Sequence, residues 1–115
     1  MTPLGIYLRK QREVRSITQR EMAKGIGVTA AYLSALEHGR RGTPSFALLQ
    51  RVIGYLNIIW DEADKLQKIA ALSDPRVVID TVEMSAEATE LANTLAREIG
   101  SMSDEEIRKL LEQLG

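Results

Sequence analysis

The sequence has no cysteine and a single histidine, His38. Disulfides and thiolate metal sites are therefore excluded, and a histidine metal cluster cannot be assembled. No apolar run approaches the length needed to span a bilayer, and the N-terminus lacks the apolar centre of a signal peptide. There is no glycine-rich phosphate loop, no internal repeat and no low-complexity tract. The carboxylates are scattered. Glu105-Glu106 falls in the first turn of an expected helix, where the helix dipole already accounts for acidic residues. Catalysis, cofactors, metals and membranes are thus not expected, and a cytoplasmic protein is the natural reading.

What is present is ordinary in amount and uneven in distribution. A chain of 115 residues, 44% hydrophobic and 27% charged, can bury a modest core as one domain or a domain with an appendage. The net charge of −1 conceals a split. Residues 1–60 carry nine lysines and arginines against three acids, a net of +6, and residues 61–115 carry six against thirteen, a net of −7. The first half can face a polyanion and the second cannot easily do so, which suggests two jobs.

Helix signals dominate. Thr2-Pro3 opens a helix to about Arg15, with Leu4 and Leu8 on one face. Thr18 and Glu21 have capping-box spacing for a second, with Ile17 placed to staple onto Met22. Thr29 caps a third that Gly39 ends, with Val28 placed against Leu33, and "HGRRGTP" is a turn by composition. Ser45 caps a fourth that carries Leu48, Leu49, Val52, Ile53 and Leu56. A fifth spans about Trp60 to Leu72, with Ala63, Leu66 and Ile69 inward and Trp60 in the core. Ser73-Asp74-Pro75 marks a boundary, and "RVVIDTV" (76–82) has the β-branched content of a strand. Ser85 caps a sixth helix that ends at Gly100, and Ser103 with Glu106 boxes a seventh.

The third helix poses the functional question. Leu33 and Leu36 mark its buried stripe, which turns Ala31, Ala35 and His38 outward with Tyr32 and Ser34 beside them. Its outward side is nearly bare of hydrogen-bonding groups, and Arg40-Arg41 follow at once. Two short helices joined by Lys24–Val28 make a helix-turn-helix candidate. Ala23 is small enough for a close helix crossing, and Gly27 permits the turn.

With the Thr18-Gln19 opening, Ala23, Gly27, the Leu33, Leu36, Glu37 and Gly39 ending and Pro44, residues 4–72 resemble the XRE/Cro family of phage-repressor-like DNA-binding domains. The resemblance implies a mainly α fold: a five-helix helix-turn-helix domain over 1–72. A short strand and two C-terminal helices are expected over 73–115. The resemblance implies that Thr29, Ala30, Ala31, Tyr32, Ser34 and Ala35 meet bases in the major groove of double-stranded DNA. It implies phosphate contacts from Gln19, Arg40, Arg41, Thr43 and Ser45. Arg12 and Glu37 match a pair that orients the third helix. Family members often carry long polar readers where Ala30, Ala31 and Ala35 stand. Here alanine lets the backbone approach closely and can pack on a thymine methyl. Thr29, Tyr32 and Ser34 are left as polar readers, with DNA shape and phosphates supplying the rest. An arginine from the loop or the first helix that reads a guanine is the alternative.

For each of these residues a plainer role stands alongside. Arg40-Arg41 could be a solvated turn, Gln19 a helix-start residue, and His38 a favourable cation at a helix C-terminus. Residues 76–115 carry no family assignment. A lone strand leaves its backbone groups unpaired, so a two-fold ribbon with a second subunit is expected there, the rival being a linker laid along its own domain. Val77, Val78, Ile79, Leu91, Leu95, Ile107 and Leu111 are the expected dimer residues. The sum is a homodimeric, sequence-specific transcriptional regulator, a repressor at a palindromic operator, in a bacterial cytoplasm or nucleoid or phage-encoded. The rival function is an antitoxin-like or antirepressor-controlled module whose acidic half binds a protein and whose DNA binding is autoregulatory.

Overall fold

The computed structural model describes residues 1–115 and divides into two units, Met1–Val77 and Val78–Gly115. The first contains α1 (Pro3–Arg15), α2 (Gln19–Ile26), α3 (Ala30–Glu37), α4 (Phe46–Leu56) and α5 (Asp61–Ala71). The second contains α6 (Ala86–Glu98), a 3-10 turn over Ile99–Ser101 and α7 (Asp104–Leu114).

Most of the helix starts are fixed by side chains that accept otherwise orphaned N–H groups. Thr2, Thr18, Thr29, Ser45 and Ser85 each accept from the backbone N–H three residues on. Ser103 does the same, and the Glu106 carboxylate returns to the Ser103 N–H, which completes a capping box. At Thr18 only the hydroxyl half of the box forms. Residues in the left-handed region end α1, α2 and α4: Ser16, Gly27 and Asn57.

In the first unit α1 packs on α2, α3 and α5, and α2 on α3 and α4. Leu4, Leu8, Met22, Ile26, Leu33 and Leu66 are fully buried at the centre. Burying such side chains stabilises by about 1.5–3 kcal/mol each. Two glycines mark the closest approaches. A Cβ at Gly5 would lie 2.2 Å from the Glu37 carbonyl oxygen, and one at Gly25 would lie 2.0 Å from the Tyr55 ring. Ser73, buried at the end of α5, donates to the Ile69 carbonyl (2.6 Å) and accepts from Leu4 N–H (2.9 Å), which ties α5 to the start of α1.

The expected strand is a correction. The fold has seven α-helices and no strand, so the five-helix domain plus strand plus two helices is not the architecture observed. Arg76 lies in a bend, residues 77–81 have no regular secondary structure and Val82 begins a turn, with Val77, Val78 and Ile79 exposed. Asp74 Oδ1 accepts from Arg76 N–H and Asp80 Oδ1 from Val82 N–H, so local side chains serve backbone groups that a ladder would otherwise use. A β-branched run forms a strand only where it has a pleated neighbour to pack on, and none is offered. Trp60 also departs from expectation. It precedes α5 at φ 51°, ψ −117°, and is 81% exposed. Ile58, at 9% exposure, takes the core position instead.

In the second unit no side chain of α6 or α7 is fully buried. Ala88, Ala92, Leu95, Met102 and Ile107 are partly covered, and Leu91, Leu111 and Leu114 are exposed.

Candidate nucleic-acid interface

α2 and α3 are eight residues each, joined by a turn in which Gly27 sits at φ 79°. Gly27 N–H bonds the Lys24 carbonyl and Val28 N–H the Ala23 carbonyl, and Ala23 is buried where the helices meet. Leu33 and Leu36 anchor α3 inward. Ala31 is then fully outward, while Ala30, Tyr32, Ser34 and Ala35 are partly exposed around it. Thr29 is exposed, with its hydroxyl oxygen taken by Tyr32 N–H (3.0 Å) and its own O–H left over. At the far end His38 is exposed, with Nδ1 2.9 Å from the Ser34 carbonyl, a geometry that places the proton on Nδ1.

The tilt of α3 is set from within. Arg12 Nη1 and Nη2 both donate to the Glu37 carboxylate, the second at 3.1 Å to Oε1. Glu37 is wholly buried and Arg12 nearly so. Gln19 Nε2 adds a third donor to Oε1 at 3.1 Å. The Glu37 carbonyl accepts from Thr2 N–H (3.0 Å), so the start of α1 grips the end of α3 as well. No buried side-chain polar atom in the chain lacks a partner. A fully bonded buried ion pair fixes geometry more surely than it adds stability. Gln19 is therefore partly committed, with one amide proton on Glu37.

The turn after α3 is cationic and open. Arg40 N–H closes the helix on the Ala35 carbonyl (2.9 Å), and Gly39 and Gly42 sit at positive φ. The Arg40 and Arg41 side chains are exposed and make no ion pair. The Arg41 guanidinium lies 5.2 Å from the Tyr32 ring centroid, within cation–π range. That approach links the turn to α3, and no periodicity or spacing signal announces it. Thr43 and Ser45 are exposed at the entry to α4, where Ser45 Oγ accepts from Leu48 N–H and Pro44 is buried. The α2–α3 residues and the turn thus lie in one continuous stretch of the first unit. The dimer residues expected at 78–115 belong to the other unit and are exposed or partly covered.

Residues 8–61 match the helix-turn-helix family, which is the arrangement of α2, turn and α3 just described. This segment is similar to that family. Relatives agree with it. An uncharacterised HTH-type transcriptional regulator, RghRB, of Bacillus subtilis (strain 168) is 33% identical over 61 residues, 53% of this chain and 44% of its own length. The HTH-type transcriptional repressor RghR of the same strain is 36% identical over 61 residues, 53% of this chain and 45% of its own. The ImmF control region 10 kDa protein of Bacillus phage phi105 is 36% identical over 55 residues, 48% of this chain and 60% of its own. The chain spans about half the length of the curated relatives it matches. No solved structure matches it significantly.

The chain holds no group of three or more potential metal ligands, and no helix is long and apolar enough to cross a membrane.

Proposed function

We propose that this chain regulates transcription by binding double-stranded DNA through its helix-turn-helix domain, as a homodimeric repressor on a palindromic operator. The observation that carries the reading is the face of α3. It is stripped to Ala31 and Ala35, rimmed by Thr29, Tyr32 and Ser34, and followed by two exposed arginines without acidic partners. Small side chains let a helix sit deep in the major groove, and free guanidinium groups neutralise the flanking phosphates. Gln19, Thr43 and Ser45 supply neutral phosphate contacts, and the Arg12–Glu37 pair orients α3. The repressor RghR, to which the domain is similar, supports the direction of regulation.

Dimerisation is supported by the second unit. Two helices with exposed leucines at Leu91 and Leu111 do not close a core alone, and a second copy offers the same surface in two-fold register. Leu95 and Ile107 are partly covered members of the same two helices. Val77, Val78 and Ile79 add exposed apolar surface without forming a paired strand. Paired domains meet half-sites about 34 Å apart or a multiple of it. The same apolar faces favour a second reading, a protein partner held by the acidic half. The two readings separate by mass: light scattering of the purified chain gives a dimer in the first and a monomer in the second.

The test of DNA binding is a fluorescence-anisotropy titration with duplexes selected from a random pool, at two salt concentrations. Tight binding to a recurrent palindrome that weakens steeply with salt is expected. Failure to enrich any sequence, or binding indifferent to salt, contradicts the proposal.

A further inference from the structure

The chain beyond the matched domain returns to the turn after α3. Asp74, Pro75 and Arg76 line one open concavity together with Gly39, Arg40 and Arg41. The packing is close: a Cβ at Gly39 would lie 3.4 Å from Pro75 Cγ. Gly39 carries φ 79°, so the turn approaches the segment with backbone rather than side chain. On the other side, Asp74 Oδ1 accepts from Arg76 N–H at 2.9 Å, which holds the segment bent at Arg76. Three arginines, Arg40, Arg41 and Arg76, therefore line one hollow. All three are exposed, and none makes an ion pair even though Asp74 lines the same hollow.

We infer that this hollow is a phosphodiester site, and that Arg76 completes it as a DNA-contacting residue outside the helix-turn-helix segment. The inference rests on the DNA-binding reading and extends it. Three arginines against one carboxylate leave the lining net positive with no ion pair made, and a stretch of phosphodiester backbone supplies the missing anionic partners. The hollow is tied to the groove-facing helix through Arg41, whose guanidinium stacks on the Tyr32 ring. A strand of DNA lying along α3 thus passes the hollow as it leaves the groove. Asp74 has a consistent part: its acceptor bond orients the backbone at Arg76, while its charge keeps the site from holding small anions tightly. Phosphate contacts position a duplex without reading sequence, so Arg76 acts equally on every duplex.

The test is the slope of log affinity against log salt for the full chain and three variants, with each fold checked by thermal melting. Each phosphate contact contributes about 0.9 to that slope. Arg76→Ala is expected to flatten the slope by about 0.9 per bound subunit, about 1.8 for the dimer on its operator, and to weaken selected and random duplexes by the same factor. Arg76→Lys keeps the charge and is expected to keep the slope. Arg108→Ala, an exposed and unpaired arginine of α7, is expected to change neither. A wild-type slope in Arg76→Ala overturns the inference and leaves the DNA-binding reading intact. So does an equal flattening in Arg108→Ala, which would mark a general field effect. Inorganic phosphate is then titrated alone at matched ionic strength. Saturable binding that Arg76→Ala abolishes would make the hollow a free-anion site and overturn the DNA assignment. If the unmodified chain binds no duplex, both the reading and the inference fall together.

Discussion

Arg12 and Glu37, twenty-five positions apart, meet inside the first unit with both guanidinium nitrogens on one carboxylate. The pair joins α1 to the last residue of α3 and leaves neither charge to solvent. Removing one member strands the other. Glu37→Ala is expected to destabilise the domain by about 3–5 kcal/mol in urea unfolding. The double variant Arg12→Met, Glu37→Leu is expected to recover most of that stability while losing DNA affinity, because α3 loses its fixed tilt. Recovery of both properties would assign the pair no orienting role.

Two glycine substitutions have opposite expected signs. Gly5→Ala drives a methyl group into the Glu37 backbone carbonyl, which has no freedom to retreat. A loss of about 1–3 kcal/mol is expected in chemical unfolding. Gly54, in the last turn of α4, has nothing within 4 Å of its would-be Cβ. Gly54→Ala is expected to gain about 0.5–1 kcal/mol from helix entropy alone.

The Tyr32–Arg41 stack separates reading from gripping. Tyr32→Phe keeps the ring under the guanidinium, and Tyr32→Ala removes it. In a selection from random duplexes, Tyr32→Ala is expected to change the preferred base at particular positions. The Arg40→Ala, Arg41→Ala variant is expected to weaken all duplexes, with a salt slope lower by about 0.9 for each phosphate that is no longer neutralised. Uniform weakening in both variants would remove the distinction between reader and anchor.

The second unit carries a pH signature. Glu106 is held below the usual carboxylate range by the backbone N–H of Ser103, with the Ser103 side chain adding to it. A lowered folded pKa contributes stability that is present above the unfolded value near 4.5 and is lost as pH falls through the folded one. Glu106→Gln is therefore expected to lower α7 helicity by circular dichroism at neutral pH. The gap to the unmodified chain is expected to close as pH falls below 4.5 and through the lowered folded value. A gap that persists in acid would place the capping energy elsewhere than in the carboxylate charge.

The helices are legible in the sequence because their signals are local. Thr18, Thr29, Ser45, Ser85 and Ser103 cap where composition places them, and Leu33 and Leu36 point inward as their spacing requires. The absence of a strand at 76–82 is not legible, because strand formation depends on a neighbour that sequence does not specify. Trp60 departs from expectation for a related reason: its size suits a core, and Ile58 occupies that place. The bond from Gln19 to Glu37 and the shared hollow lined by Arg40 and Arg76 depend on tertiary closure. Charge counting offers one hint, an arginine set directly after the boundary at Asp74-Pro75.

The decisive measurement is amide chemical-shift mapping of the isotope-labelled chain titrated with its selected duplex at matched salt. The expected perturbations centre on Thr29–Ala35 and on residues 39–45, with the outward amides of Ala31 and Ala35 among the largest. Perturbations confined to other faces of the first unit, with α3 silent, would contradict insertion of that helix into the groove.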